Sequence, residues 1–113
     1  MDHTITFYQT CIKQLLSTYQ ELHTATSEIE LIFDDDRQHY LAVRVGWHKQ
    51  TRIYFCLVHI DIREGQIIIQ VNNTEDLLDQ ELQALGIPAE KIRLGLLPPE
   101  ARVYTPPPLQ QAA

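Results

Sequence analysis

His59 and Asp61 stand two apart in the run Cys56-Leu57-Val58-His59-Ile60-Asp61-Ile62. On a strand, residues two apart project to one face with Cα atoms roughly 6.6 Å apart. Such a pair can orient an imidazole through a carboxylate, or supply two ligands to a metal ion. A metal needs further donors, and along the chain no other His or Cys lies at a helpful spacing. The expectation is therefore a polar cluster in a half-covered sheet face, with Gln70 opposite His59, and no catalytic residues, metal or cofactor. Cys56 and His59 have the types of a thiol–imidazole dyad, but their odd separation on one strand sends them to opposite faces. Cys56 lies among apolar neighbours and Cys11 on an apolar helical stripe, so both read as inert core thiols. Asp34-Asp35-Asp36 lacks the spaced oxygen donors of a calcium loop and reads as a solvated hairpin tip. The glycines at 46, 65, 86 and 95 form neither a GxGxxG nor a Walker sequence, and GxSxG and HExxH are absent.

Charge narrows the classes further. Nine basic against fifteen acidic residues give a formal net charge of -6 over 113 residues. A protein that coats nucleic acid neutralises phosphates with Lys and Arg, so direct nucleic-acid binding is not expected. A chain of this length supports one core and one domain. Two cysteines without a CxxC, an acidic Asp2 where a signal peptide carries positive charge, and no apolar run near 20 residues read as a cytoplasmic protein that avoids membranes.

The elements that must position these side chains follow from hydrophobic periodicity. Tyr8, Cys11, Ile12, Leu15, Leu16, Tyr19 and Leu22 recur at helical spacing and predict a first helix from Thr4 to about Leu22, capped by Asp2 or Thr4. The period then becomes two. Strands are predicted around Ile29–Phe33, His39–Trp47, Arg52–Arg63 and Gln66–Asn72, with tight turns at Lys49-Gln50 and Glu64-Gly65. A second helix follows, capped by Asn73 or Thr74, with Leu77, Leu78, Leu82 and Leu85 buried and Gly86 as its left-handed end. A helical turn after Pro88 and a short strand at Arg93–Leu97 complete the domain, and Pro106–Ala113 reads as a Pro/Gln-rich tail.

The turns also predict register. Pairing out from Glu64-Gly65 sets Ile62 opposite Ile67, Ile60 opposite Ile69 and Val58 opposite Val71. Pairing out from Lys49-Gln50 sets Val45 opposite Tyr54, Val43 opposite Cys56 and Leu41 opposite Val58. The aliphatics then share one face beneath the first helix. The other face collects Ile53, Phe55 and Leu57 at one end, then His59, Asp61, Ile68, Gln70 and Asn72, with Tyr40 and Arg44 alongside. An apolar centre with a polar rim suits a protein interface. Phe55, Leu57, His59, Asp61, Ile68 and Gln70 are the expected contacts to a partner or to a second copy in a dimer.

Gly46-Trp47, the Cys56–Ile62 run, Gly65-Gln66-Ile67-Ile68-Ile69-Gln70, Thr74-Glu75, Gly86-Ile87-Pro88, Pro98-Pro99 and Tyr104-Thr105 stand in one order. That ordered set resembles the XisI-like family, the fdxN element excision controlling factor proteins. The resemblance runs from the first helix to about Thr105, with the His59–Ile62 segment followed by Gly86-Ile87-Pro88 as its most specific part. It implies a single α+β domain over 1–105. The expected fold is an antiparallel four- to five-stranded sheet with an N-terminal helix on one face and a second helix after strand four. It also implies a non-enzymatic accessory factor in site-specific DNA excision, working beside a recombinase and a nuclease-like XisH-like protein. Inhibitory, antitoxin-like binding of that nuclease-like partner is the other role considered. Ile68 stands where relatives often carry Trp, and the 106–113 tail replaces a short apolar end.

Overall fold

Ser17 and Thr18 stop the first helix earlier than its apolar stripe. Their hydroxyls donate back to the carbonyls of Lys13 at 2.7 Å and Leu15 at 2.6 Å, which competes with continuation of the helix. The α-helix α1 therefore spans His3–Ser17, and a 3-10 turn covers Thr18–Glu21. Leu22, expected on the buried stripe, is 47% exposed beyond that turn. The structure, a computed structural model, describes residues 3–98. The expectations for Asp2 and for residues 99–113, including the tail, fall outside those residues.

The strands are β1 (Ser27–Asp34), β2 (His39–His48), β3 (Thr51–Arg63), β4 (Gln66–Asn72) and β5 (Ile92–Leu94). They form one sheet in sequence order, antiparallel from β1 to β4, with β5 parallel to β4. A parallel neighbour needs a crossover, and the second helix α2, Leu78–Ala84, lies within it. The sheet is thus mixed, with the helix and strand order expected for an α+β domain. Both predicted tight turns form, and Lys49, Glu64 and Gly65 take positive φ there.

Helix α2 begins later than its first leucine. Asn72 Oδ1 accepts from the Thr74 amide at 2.9 Å, and Thr74 Oγ1 accepts from the Asp76 amide at 3.0 Å. These side chains hold a turn instead of capping a helix. Leu77 consequently lies 60% exposed, whereas Leu78 and Leu82 are buried. Gly86 ends the segment at φ 109°, as a left-handed residue.

Both helices pack on the same side of the sheet. Tyr8, Cys11, Ile12, Leu15 and Leu16 of α1 share one core with Leu78 and Leu82 of α2 and with Ile29, Ala42, Val58, Ile60, Ile62, Ile67 and Ile69 of the strands. Ile12 and Leu16 are fully buried, and each such side chain contributes roughly 1.5–3 kcal/mol.

Two register shifts decide which face each strand residue takes. Between Ala42 and Val43 the β2–β3 pairing skips Leu57, and between His59 and Ile60 the β3–β4 pairing skips Gln70. These are β-bulges, each leaving one residue without an opposite number. Val45 still faces Tyr54 and Val43 still faces Cys56, as predicted, but Leu41 faces His59 instead of Val58. Ile62 faces Ile67 and Ile60 faces Ile69, as predicted, but Val58 faces Asn72 instead of Val71.

Candidate functional site

The Leu57 bulge divides the face that unbroken alternation predicts. Tyr40 pairs with Ile60 and Arg44 with Phe55, so Tyr40, Arg44, Phe55 and Ile53 all lie on the helix-bearing side. Tyr40 is fully buried there, and Leu57 is 6% exposed within the core. Leu57 is thereby removed from any outer contact surface, and Phe55, 42% exposed, looks out from the other side. His59, Asp61, Ile68 and Gln70 remain together on the face away from the helices.

That open face gains a residue the strand spacing did not offer. Beyond the bulge His39 pairs with Asp61, so its imidazole comes to the same carboxylate as His59. His39 Nδ1 and His59 Nε2 each lie 2.7 Å from Asp61 Oδ1. Gln70 Nε2 donates to Oδ2 at 3.1 Å, and Arg63 reaches the same oxygen at 3.5 Å. Gln70 is thus a partner of Asp61, whereas the sequence pairing set it against His59. The two imidazoles meet edge to face, with centroids 6.2 Å apart.

Asp61 is the one charged residue of the described chain that is buried, at 1% exposure. Burial works against its charge, but the hydrogen bonds from His39, His59 and Gln70 outweigh that cost and hold the carboxyl below its ordinary value. The histidine side chains are 41% and 28% exposed. The cluster is therefore a buried anion with two imidazoles at its solvent edge. His39 escaped the sequence reading because regular pairing from the Lys49-Gln50 turn sets it against Ile60, on the wrong face. The signal that could have pointed to it is the cost of leaving Asp61 on a sheet without a cation or several donors.

Cys56 and His59 do share the open face, contrary to the odd-spacing argument, because the intervening bulge adds a residue. The thiol nonetheless donates to the Val58 carbonyl at 3.4 Å, and burial raises its pKa. Cys11 is buried, and burial raises its pKa as well. The Asp34–Asp36 tip is more engaged than a solvated tip. Asp35 accepts from Lys13 Nζ and Tyr40 Oη, both at 2.8 Å, which ties the β1–β2 turn to α1.

Apolar side chains extend the open face beyond the cluster, bordered by the exposed Glu28 and Glu30 of β1, which pair with Val45 and Val43. Leu41, Val45, Ile68 and Val71 are half-buried there, and neither helix covers them. At the far end Trp47 and Tyr54 are 55% and 63% exposed. The Arg52 guanidinium sits 5.3 Å from the Trp47 ring and 5.6 Å from the Tyr54 ring, within cation–π range of both. No described helix is long and apolar enough to cross a membrane.

The family model described as XisI protein matches residues 1–106. The crystal structure of a XisI-like protein from Anabaena variabilis ATCC 29413 superposes with a TM-score of 0.84 at 40% identity, covering 89% of this chain and 94% of that one. The fdxN element excision controlling factor XisI from the same organism superposes with a TM-score of 0.76 at 28% identity, covering 88% and 98%. No curated protein is significantly similar to the chain.

Proposed function

The chain belongs to the XisI family, and on that premise we propose that it is a non-enzymatic controlling factor of site-specific DNA excision that acts by binding other proteins. One observation carries the reading: a sheet face with half-buried aliphatics, a polar cluster and an exposed Trp47-Arg52-Tyr54 stack, uncovered by either helix. Apolar area supplies burial on docking, and Trp, Tyr and Arg are the residue types that dominate binding energy at protein interfaces. A net charge of -6 favours protein contacts over phosphate contacts. The partner proposed is an XisH-like protein, with a recombinase as a further member of the complex and a cytoplasmic setting. A homodimer through the same face is the competing occupant.

The contact set follows the geometry. Ile68, His59 and Gln70 stay in it, Leu41, Trp47 and Tyr54 join it, and Leu57 and Asp61 serve beneath it. The test is co-purification of the full chain with an XisH-like protein. A complex that survives moderate salt, is lost in Ile68→Asp and Tyr54→Asp, and persists in Phe55→Asp supports the open face. Loss in Phe55→Asp alone transfers the interface to the helix-bearing side, and no association at micromolar concentration removes the proposal. Toxicity of the partner alone, relieved by this chain, identifies the inhibitory form of the same binding. A salt-sensitive shift of duplex DNA by the isolated chain overturns the reading altogether.

A further inference from the structure

We propose that His39, His59 and Asp61 form a binding site for a divalent transition-metal ion of the zinc class. Their donor atoms, one nitrogen from each imidazole and one carboxylate oxygen, all lie within 4.8 Å of one another. Both rings point at a single oxygen of Asp61, while Gln70 and Arg63 engage the other. The carboxylate is thus held from behind and presents Oδ1 to the two rings, as carboxylate ligands are held by an outer layer of hydrogen bonds in metal centres. All three ligands attach to paired strands of the sheet. His39 and Asp61 are directly opposed across β2 and β3, and His59 shares a strand with Asp61.

The chemistry of the donor set chooses the ion. Two neutral imidazoles and a carboxylate suit Zn²⁺, Co²⁺, Ni²⁺ or Fe²⁺, whereas Ca²⁺ and Mg²⁺ call for a shell of oxygens. Each imidazole must carry its proton on the nitrogen remote from Asp61 and offer a lone pair inward. With bonds of about 2.0–2.1 Å in a tetrahedral site, ligand atoms stand roughly 3.3 Å apart. The 2.7 Å contacts must therefore open by about half an ångström, and the two ring nitrogens, within 4.8 Å of each other, must close toward the same spacing. Rings that are 41% and 28% exposed have room to do so, and the solvent side leaves the remaining position to water. Arg63 opposes the ion's charge from the Oδ2 side, but it is 65% exposed at 3.5 Å and free to swing outward.

The site is separable from partner binding, because it is read on the isolated chain. The experiment uses full-length, tag-free protein stripped with a chelator. Zn²⁺ binding is followed by calorimetry and Co²⁺ binding by its visible absorption. The expected result is saturation at one ion per chain, with a Co²⁺ spectrum of low coordination number. His39→Gln and His59→Gln are each expected to weaken binding at least by the roughly tenfold that loss of an orienting partner alone costs. His23→Gln and His48→Gln are expected to leave it unchanged. Circular dichroism checks that the glutamine variants stay folded, and Gln70→Ala, which touches no ligand nitrogen, supplies a second and milder variant expected to weaken binding. Absence of saturable binding overturns the proposal, as does binding that survives in the His39 and His59 variants together or that disappears in the His23 or His48 variant.

Discussion

His39 and Asp61 oppose each other across β2 and β3 with 2.7 Å between Nδ1 and Oδ1, although unbroken pairing from the Lys49-Gln50 turn would set His39 against Ile60. The difference is one residue, Leu57, which the pairing skips. A strand alternates strictly, so one added residue transfers everything beyond it to the other face. His39 joins His59 at the buried anion because of that transfer.

The bulge makes opposite demands on adjacent odd-numbered residues of β3. Leu57 lies 6% exposed in the core, and Phe55 lies 42% exposed. Leu57→Ala is expected to cost about 2–4 kcal/mol through lost burial and a cavity, whereas Phe55→Asp should cost under about 1 kcal/mol. Urea unfolding followed by circular dichroism checks both. Equal costs would mean that the two side chains share an environment.

Asp61 is held by several donors at 1% exposure. Asp61→Ala leaves the donors of His39, His59 and Gln70 facing a void, and a loss of about 3 kcal/mol is expected. Asp61→Asn keeps an acceptor oxygen but loses the charge, and it should fall between Ala and wild type in the same measurement.

The direction of the Asp61 shift sets the sign of a pH dependence. A carboxyl whose folded pKa lies below its unfolded value binds fewer protons when folded. Its stabilisation is complete above the unfolded value near 4 and is lost as pH falls through the lower folded value. Lys13 and Tyr40, by hydrogen bonding, lower Asp35 in the same direction. Stability should therefore hold from neutral pH down to about 4 and decline below it. Asp61→Asn should show a shallower decline over that acid window, measured as urea midpoints at successive pH values.

Gly46 is required by close approach of β1 to β2. A Cβ there would meet the Thr26 carbonyl oxygen at 2.1 Å and Ser27 Cα at 2.7 Å, both backbone atoms that cannot turn aside. Gly46→Ala is expected to cost about 2–3 kcal/mol as the strands are forced apart, read as a lowered Tm. Gly65→Ala meets nothing within 4 Å, and its cost should come only from the positive φ of 78°.

Element identity and order were legible from local chemistry. Helical spacing from Tyr8 to Tyr19, strand alternation, and the turns at Lys49-Gln50 and Glu64-Gly65 each act over a few residues. The core list followed, since Ile60, Ile62, Ile67 and Ile69 lie within a few residues of the Glu64-Gly65 turn. Helix ends were less legible, because Ser17, Thr18, Asn72 and Thr74 bond to their own local backbone in ways that spacing does not reveal. Face assignment beyond Leu57 belonged to the tertiary structure alone. A bulge arises where three strands and two helices must bury Leu57 and Val58 together while Asp61 finds its donors, and no single segment carries that balance. The sequence thus determined that His59 and Asp61 share a face, through period two. Only the folded sheet decided that His39 joins them and that Tyr40, Phe55 and Leu57 do not, because register past a bulge is settled by packing across strands and not by alternation along one.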